Sequence, residues 1–219
     1  MRKRLYTALS TSDPVLTDPA GMMDTSQHPV PVIHNIVSTA QIESSNQKPL
    51  DLNAISRILP GSSYDRAKFA AMTIRLSNPN CTLLLFSSGK LVVTGVCNWY
   101  EGVLSCLYVS RLLQSCMTHT DFRLRNCDIQ NIVAHVEIPV GEGSLDLKAM
   151  YSRLNLHCTY QSNLFPGLIY RPPSSPIVLL CFKSGKIVIT GGKNERDVMH
   201  GWRHLWPTVR VFVHADKNV

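Results

Sequence analysis

The sequence lacks any long apolar run, and it also lacks the paired-cysteine spacing of a metal or redox motif. No stretch approaches the ~20 apolar residues that a membrane-spanning helix needs. Met1-Arg2-Lys3-Arg4 resembles the charged start of a signal peptide, but the segment that follows is rich in Thr, Ser, Asp and Pro. The seven cysteines are scattered and free of CxxC spacing. We therefore expect a soluble intracellular chain with reduced cysteines.

Motifs of catalysis are absent as well. The chain has no nucleophile elbow, no phosphate-binding loop, no HExxH and no paired acidic motif. His200 and His204 lie one helical turn apart and could ligate a metal, but their spacing supplies no third ligand. We therefore interpret both as ordinary histidines that are exposed or hydrogen-bonded within the protein. We predict no enzymatic activity, no cofactor and no metal site.

The chain does contain an excess of positive charge and ample apolar material. Lys and Arg number 22 against 15 Asp and Glu, which gives a net charge of +7 and a pI near 9.1. Hydrophobic residues make up 44% of the sequence, enough to bury a core. The charge favours a polyanionic partner, although many soluble proteins carry as much.

The sequence repeats itself at an offset of 96 residues. Phe69 recurs as Phe165, Phe86 recurs as Phe182, and many neighbouring residues follow the same offset. Such a shared register indicates two copies of one folding unit, so functional features are expected in pseudo-symmetric pairs.

The repeat also predicts the organisation of the chain. Residues 1–30 contain several prolines and no periodicity, which is typical of a disordered tail. The first copy is predicted over residues 31–122 and the second over 127–214, and together they form one domain.

Each copy is predicted to be α+β, with an antiparallel sheet and two helices. The predicted strands are 32–40, 69–76, 82–86, 91–96, 129–137 and 165–171, with a second hairpin over 177–191. The predicted helices are 50–59, 98–117, 145–154 and 194–205.

The hairpins carry apolar residues on both faces. Leu84 and Phe86 share one face of a strand, Leu83 and Leu85 share the other, and the second hairpin repeats this pattern. Two helices per copy can cover only one face. A second covering sheet is the common explanation for such a pattern, but no further predicted elements remain to build one. We therefore expect an exposed apolar face, which normally marks a binding site.

Positively charged residues adjoin this apolar face in both copies. Aromatic and small apolar residues framed by cations suit the DNA minor groove, where apolar side chains follow the groove and cations meet phosphates. Each cation alone would be an ordinary solvated side chain. The six residues are Lys68, Arg75, Lys90, Arg171, Lys186 and Lys193.

Several motifs in order resemble one known family. In the first copy they are His34-Asn35-Ile36-Val37-Ser38-Thr39, Lys68-Phe69-Ala70-Ala71, and Leu84-Leu85-Phe86-Ser87-Ser88-Gly89-Lys90. In the second copy they are Gln130-Asn131-Ile132-Val133, Leu164-Phe165-Pro166-Gly167, and Leu179-Leu180-Cys181-Phe182 followed by Ser184-Gly185-Lys186. Over about residues 31–213 the chain resembles the TATA-box-binding protein family.

The resemblance implies a saddle, a curved ten-stranded antiparallel sheet with DNA on its concave side and four helices on its convex side. It also implies that two phenylalanine pairs, Phe69 with Phe86 and Phe165 with Phe182, wedge between base steps, a mechanism that belongs to the family. Core packing is the ordinary alternative for these rings.

Further DNA contacts are implied by the same resemblance. The base-edge contacts would be Asn35, Val37, Leu84, Val92, Thr94, Asn131, Val133, Leu180, Val188 and Thr190. The six cations named above match phosphate contacts. For either asparagine alone, a hydrogen bond to the backbone at a sheet edge is the ordinary alternative. Implied partners are double-stranded promoter DNA, transcription factors IIA and IIB, and TBP-associated factors, in the nucleus, and the uncovered face would permit self-association without DNA.

Three departures from the family pattern fall largely on partner surfaces. Cys97 stands where the family has a lysine. The predicted helix over 98–117 carries a single basic residue, Arg111, whereas the family's helix is rich in Lys and Arg. In the segment that contacts factor IIB, here called the second stirrup, glutamates are replaced and one leucine is kept: Gln161, Asn163 and Leu164. The resemblance is therefore to a divergent or paralogous member.

Two other classes of function remain open at this point. One is a related interaction protein that titrates or recruits transcription factors without TATA-specific binding. The other is a lipid- or peptide-binding sheet, which would have no reason to keep the cationic rim. Retention of four phenylalanines and two asparagines favours DNA binding.

Overall fold

The computed structural model describes residues 28–117, 119–138, 144–173 and 175–214. Most of the tail predicted over residues 1–30 lies outside the described residues. Where the description begins, the backbone carbonyl of Pro29 accepts a hydrogen bond of 2.7 Å from the indole nitrogen of Trp202. This bond connects the segment just before the first copy to the last helix of the second.

A ten-stranded antiparallel sheet forms the framework. The strands in chain order are β1 (Val32–Ser44), β2 (Ser62–Ser63), β3 (Ala71–Ser77), β4 (Asn80–Phe86), β5 (Lys90–Val96), β6 (Phe122–Glu137), β7 (Ser144–Leu145), β8 (Cys158–Thr159), β9 (Leu168–Tyr170), β10 (Val178–Cys181), β11 (Lys186–Gly192) and β12 (Val213–His214). Their spatial order is β2-β3-β4-β5-β1-β6-β11-β10-β9-β8, while β7 and β12 pair separately. Each copy thus supplies five neighbouring strands.

A pseudo-two-fold axis passes between β1 and β6. Ile36 lies opposite Ile132, its own counterpart at the 96-residue offset. Two flanking pairs are exchanged by this axis, Asn35 opposite Val133 and Val37 opposite Asn131. The repeat in the sequence is therefore a repeat in space, centred on these two isoleucines.

Four α-helices are found within the described residues. They are α1 (Leu52–Ile58), α2 (Trp99–Cys116), α3 (Leu147–Leu154) and α4 (Glu195–Val209). Each begins after an Asp or Asn whose side chain accepts a backbone N–H of the first turn, and the four caps are Asp51, Asn98, Asp146 and Asn194. A cap of this kind stabilises a helix by about 1 kcal/mol.

The core lies between one face of the sheet and the helices. Leu83 and Leu85 on β4 are fully buried, as are Val109 on α2 and Trp202 on α4, and all belong to one apolar cluster. The helices therefore share a single face of the sheet. This arrangement confirms the predicted ten-stranded sheet with four helices on one side.

Some element limits differ from the sequence predictions. β6 begins at Phe122 instead of 129 because its first half, which is polar and has no apolar run, pairs with the end of β1, Ser44 lying opposite Phe122. β9 is shorter than the predicted strand over 165–171, since Pro166 and Pro172 cannot donate to the ladder. α4 continues to Val209, past Pro207.

Candidate nucleic-acid interface

The face of the sheet opposite the helices stays uncovered in the described part of the chain. Along β4 and β5, buried residues beneath the helices alternate with half-exposed residues on the uncovered face. This is the division into two apolar faces that the hairpin pattern predicts. Ten half-exposed residues define what we call the concave face: Asn35, Val37, Leu84, Val92, Thr94, Asn131, Val133, Leu180, Val188 and Thr190.

One phenylalanine pair lies at each end of the concave face. Phe86 ends β4, and its ring centroid is 6.4 Å from that of Phe69, edge to face at 61°. Phe165 and Phe182 are 5.7 Å apart at 69°. Phe69 is 50% exposed, and none of the four rings belongs to the core cluster or packs against it. The structure therefore holds these rings at the surface, where core packing does not explain them.

A tight backbone turn presents the first ring of each pair. The N–H of Phe69 donates to the carbonyl of Asp65 at 3.0 Å, and the N–H of Phe165 donates to the carbonyl of Gln161 at 2.9 Å. The two turns are related by the repeat, so their geometry is set by the backbone and survives the change from Asp to Gln.

Gly167 makes room for the second ring pair. A Cβ at this position would lie 2.7 Å from the ring of Phe165 and 3.0 Å from that of Phe182. The equivalent residue in the first copy is Ala71, where the rings are further apart. Sequence reasoning missed this role, because a glycine paired with an alanine gives no sign of a nearby ring.

Two asparagines at the centre have fixed side-chain amides. The Oδ1 atom of Asn35 accepts from the backbone nitrogen of Gly95 at 2.7 Å and from the Thr94 hydroxyl at 3.1 Å. Asn131 repeats this with the nitrogen of Gly191 at 2.8 Å. A backbone N–H can only donate, so the oxygen must face it and the amide nitrogen is left on the concave side. Each amide nitrogen keeps at least one hydrogen for a ligand.

Each of these contacts needs a glycine because the backbone at that residue has a positive φ angle. Gly95 and Gly191 have φ angles of +99° and +96°, in the region that favours glycine. A Cβ on Gly191 would also lie 2.5 Å from the carbonyl oxygen of Pro176. The Thr-Gly pairs of the repeat are therefore the source of the amide orientation.

The six predicted phosphate-contacting cations are all exposed. On their strands, Arg75, Lys90 and Lys186 occupy positions that alternate with buried residues, so they lie on the same side of the sheet as the concave face. Arg171 and Lys193 directly follow β9 and β11. Lys68 forms an exposed ion pair of 3.3 Å with Asp65. Such a pair contributes little stability, so the lysine is free to exchange partners.

The structure adds residues to the concave face that sequence reasoning missed. Two rows cross the sheet, one of Thr39, Val92, Leu84 and Thr73, the other of His135, Val188, Leu180 and Ile169. The offset relates Thr39 to His135 and Thr73 to Ile169. Because the two residues of each pair are different amino acids, a comparison of identical residues at the 96-residue offset could not reveal them.

The departures from the family pattern are exposed. Cys97 donates its thiol to the carbonyl of His34 at 3.3 Å, and Lys193 occupies the equivalent position in the second copy. Leu164 of the second stirrup is 77% exposed, and Gln161 and Asn163 are exposed beside it.

The outer surfaces of α2 and α4 differ in character although the helices are equivalent. On α2 the exposed large hydrophobic residues are Tyr100, Leu104, Leu107 and Tyr108. Their counterparts on α4 are Arg196, His200, Arg203 and His204, which are exposed and polar. Among the described residues, no group of three or more His, Cys, Asp or Glu side chains is placed to hold a metal ion.

All seven cysteines are free thiols. Burial raises the pKa of Cys181 well above the ordinary thiol value and raises the pKa of Cys158 to about 11. Cys97 and Cys116 are exposed. The buried thiols therefore behave as inert apolar side chains.

Among the helices of the described ranges, none combines the length and apolar character that a bilayer crossing requires.

Comparison with known proteins gives a consistent set of relatives. The family model described as Transcription factor TFIID (or TATA-binding protein, TBP) matches residues 30–114 and 126–212. TATA-box-binding protein 2 of Arabidopsis thaliana is 34% identical over 199 residues, which cover 90% of this chain and 95% of the relative. TATA-box-binding protein of Dictyostelium discoideum is 33% identical over 213 residues, with 95% and 96% covered. The solved structure of Methanococcus jannaschii TBP superposes with a TM-score of 0.70 at 30% identity, covering 84% of this chain and 99% of that one.

These matches agree with the fold and with both repeats. The curved sheet with four helices is the saddle of the solved relative, as the resemblance implied. The family comprises non-enzymatic transcription factors, and the relatives support a role in transcription initiation. With the family model spanning both copies and relatives matching nearly the whole chain, the chain belongs to the TATA-box-binding protein family.

Proposed function

We propose that this protein binds A·T-rich, TATA-type promoter DNA in the minor groove, bends it by phenylalanine wedging and nucleates the preinitiation complex in the nucleus. The observation that carries the proposal is one arrangement: two ring pairs at the ends of the concave face and two oriented amide donors at its centre.

The central amides suit the chemistry of A·T base pairs. Adenine N3 and thymine O2 are acceptors on the minor-groove floor, and a G·C pair adds the guanine amino group, which is a donor. Asn35 and Asn131 present N–H groups towards the groove because their oxygens are occupied. A donor facing a donor is unfavourable, so these residues select A·T at the centre of the site.

The ring pairs supply the bend. Insertion of apolar side chains unstacks base steps at a cost of roughly a few kcal/mol per step, and the bent duplex then contacts more protein surface. The valine and leucine side chains of the concave face are the surface that the opened groove would meet. Deformable A·T-rich steps reduce the cost, which adds indirect specificity.

The cations supply affinity without reading sequence. Six exposed lysines and arginines adjoin the concave face. If they neutralise five or six phosphates, log K should fall against log salt with a slope of roughly −5.

Partner recognition is proposed on the surfaces away from DNA. Factors IIA and IIB and TBP-associated factors are the proposed partners, with contacts altered at the second stirrup and along α2. Leu164 would still offer an exposed apolar anchor to factor IIB. Self-association through the concave face without DNA stays a prediction, to be checked by sedimentation with and without a TATA duplex.

A gel-shift comparison tests the proposal. The full chain is titrated onto a TATA duplex and onto a duplex of the same length in which G·C pairs interrupt the A·T run, at low and moderate salt. We expect tighter binding to the TATA duplex, and equal affinity for the two would contradict A·T-specific deformation as the basis of binding.

The exposed apolar stripe of α2 favours one alternative, a related protein that recruits or titrates transcription factors without TATA-specific binding. Tyr100, Leu104 and Tyr108 are each more than half exposed, which is typical of a protein-contact surface. The same gel shift separates the two functions, because the alternative predicts no preference for the TATA duplex over the other duplex at either salt concentration.

A further inference from the structure

The outer face of α2 carries an apolar stripe that nothing covers in the described part of the chain. Tyr100, Leu104, Leu107 and Tyr108 are between 39% and 71% exposed. A contiguous apolar patch of this kind normally marks a contact with another macromolecule. The proposed DNA-binding function makes no use of the stripe, because α2 packs on the side of the sheet opposite the concave face.

The spacing of the stripe matches a seam between two packed helices. Tyr100, Leu104, Leu107 and Arg111 follow one another at intervals of four, three and four residues, and all four are exposed. Alternating intervals of four and three keep side chains on one line along a helix, and side chains on such lines interdigitate when two helices pack. The seam runs for roughly 17 Å along the axis of α2 at the rise of an α-helix.

The stripe is complementary to itself when two molecules of this chain meet with their α2 helices antiparallel. A two-fold axis between Leu104 and Leu107 places Leu104 against the partner's Leu107 and Tyr100 against the partner's Arg111. The leucines then bury apolar surface at the axis, and each guanidinium stacks on a tyrosine ring, which attracts cations. A parallel pairing would instead set Arg111 against the partner's Arg111.

The charge of α2 favours the same pairing. Glu101 and Arg111 are the only charged residues of this helix, so it is neutral in a chain with a net charge of +7. Two molecules can therefore approach through α2 without the repulsion that the rest of their surfaces imposes. Within the described ranges Arg111 takes part in no ion pair, which leaves its guanidinium available to the partner's Tyr100.

The equivalent helix of the second copy does not offer such a seam. The 96-residue offset relates Leu104 to His200 and Leu107 to Arg203, and both residues are exposed on α4. The same antiparallel register would set His200 against the partner's Arg203 in place of two leucines. A contact of α2 with the partner's α4 would be head-to-tail and would build open chains of molecules. The polar residues of α4 disfavour that contact and limit pairing to a closed dimer through α2.

The size of the stripe predicts a weak dimer. If the four apolar side chains of both molecules were buried completely, the contact would cover roughly 900 Å², taking roughly 200 Å² for a fully exposed tyrosine or leucine. Stable complexes bury about 1,200–2,000 Å², so we expect dissociation in the micromolar range. Two binding sites on one DNA molecule would raise the effective concentration of the paired molecules and strengthen the contact.

Resting on the proposed function, we propose that two molecules of this chain pair antiparallel through α2 and that the dimer bridges two DNA duplexes. α2 packs against β1, β5 and β6, so each sheet lies between the α2 contact and its own concave face. The two concave faces therefore point away from each other in the dimer, and each stays free to bind a duplex.

Analytical ultracentrifugation of the full chain tests the pairing. Samples from low to high micromolar concentration are compared with and without a saturating short TATA duplex. We expect the dimer fraction to rise with concentration and to persist when DNA is bound. Self-association through the concave face would instead be lost on addition of the duplex, which separates the two interfaces.

Matched variants exchange the character of the two equivalent helices. Leu104→His with Leu107→Arg gives α2 the residues that α4 carries, and we expect the dissociation constant of the dimer to rise about tenfold or more. His200→Ala with Arg203→Ala on α4 is the control and should leave the constant within about twofold. Thermal unfolding of each variant verifies the fold, which these exposed positions should not disturb.

A charge pair tests the antiparallel register. Leu104→Glu with Leu107→Glu should be monomeric, because each glutamate faces a glutamate of the partner. Leu104→Glu with Leu107→Lys should recover the dimer, because each glutamate then faces a lysine. A parallel pairing predicts no recovery, since like charges would still meet.

Bridging is measured with a biotinylated TATA duplex on streptavidin beads and a second, fluorescent TATA duplex in solution. The unsubstituted chain should retain the second duplex on the beads. Leu104→His with Leu107→Arg should bind the immobilised duplex equally well and retain several-fold less of the second.

The outcomes separate this inference from the function on which it rests. A chain that stays monomeric at every concentration overturns the proposal and leaves the stripe to a different protein. Association that Leu104→His with Leu107→Arg does not weaken, or equal retention of the second duplex by this variant, also overturns it. A chain that dimerises but binds no duplex at low salt overturns the DNA-binding function and the bridging, while the α2 pairing stands.

Discussion

The side-chain oxygen of Asn131 accepts a 2.8 Å hydrogen bond from the backbone nitrogen of Gly191. This bond turns the amide nitrogen towards the concave face and converts an ordinary asparagine into an oriented donor. The first copy has the same arrangement at 2.7 Å. The positive φ of the glycine makes the arrangement possible, so the donor depends on the Thr-Gly sequence of each repeat.

Asn131→Asp should weaken binding to a TATA duplex about 10- to 100-fold, because it replaces the outward donor with a charged acceptor while keeping the bond to Gly191. Fluorescence anisotropy with a labelled duplex measures the change. Asn155→Asp, an equivalent substitution at an exposed position after α3, serves as the control and should leave the affinity within about twofold. A similar loss in both variants would point to net charge as the cause.

Cys97→Lys should steepen the salt dependence of DNA binding. The substitution restores in the first copy the lysine that the second carries at Lys193, and one more phosphate contact changes the slope of log K against log salt by about −0.9. Lys186→Ala should make the slope shallower by the same amount. Lys148→Ala on α3 is the control with an unchanged slope, and equal effects of all three substitutions would contradict specific phosphate contacts.

Gly167→Ala should impair the second ring pair alone. The added methyl group would lie 2.7 Å from the Phe165 ring, so the ring must move before the pair can insert. We expect several-fold weaker binding and a smaller bend, with little change in thermal unfolding because Phe165 is outside the core. Ala71→Gly at the equivalent position should leave the bend unchanged. A normal bend for Gly167→Ala would show that the second ring pair does not need a glycine beside it.

Thiol labelling should distinguish Cys97, which the proposed function places beside DNA, from the other cysteines. At about pH 7.5, Cys97 and Cys116 should react first, since both are exposed. Cys158 should react slowly, and faster as the pH rises towards its pKa of about 11, because burial disfavours the thiolate at lower pH. A bound TATA duplex should protect Cys97 but not Cys116, as read by mass spectrometry, and labelling of Cys97 unaffected by DNA would place it outside the interface.

The repeat and the alternation of residues predicted the fold well because both act through backbone geometry. Leu83 and Leu85 fall beneath the helices while Leu84 and Phe86 face outwards, as strand periodicity requires. The positions that the sequence did not reveal are those where the copies differ, such as Thr39 and His135.

The sequence also could not reveal contacts that depend on distances across the folded sheet. The role of Gly167 follows from the distance between two rings, and the orientation of each asparagine follows from a backbone nitrogen on a neighbouring strand. Neither is encoded in a local pattern. The first half of β6 was missed because its polar residues resemble a loop, and its strand character comes from pairing with β1.

The most direct test of the proposed function is the bend of a TATA duplex, measured by energy transfer between dyes at its two ends. The unsubstituted chain should bring the ends together, and Phe165→Ala with Phe182→Ala should remove about half of the bend by abolishing one wedge. The equivalent variant, Phe69→Ala with Phe86→Ala, should remove the other half. If either variant brought the two ends of the duplex as close together as the unsubstituted chain does, that result would contradict phenylalanine wedging as the source of the bend.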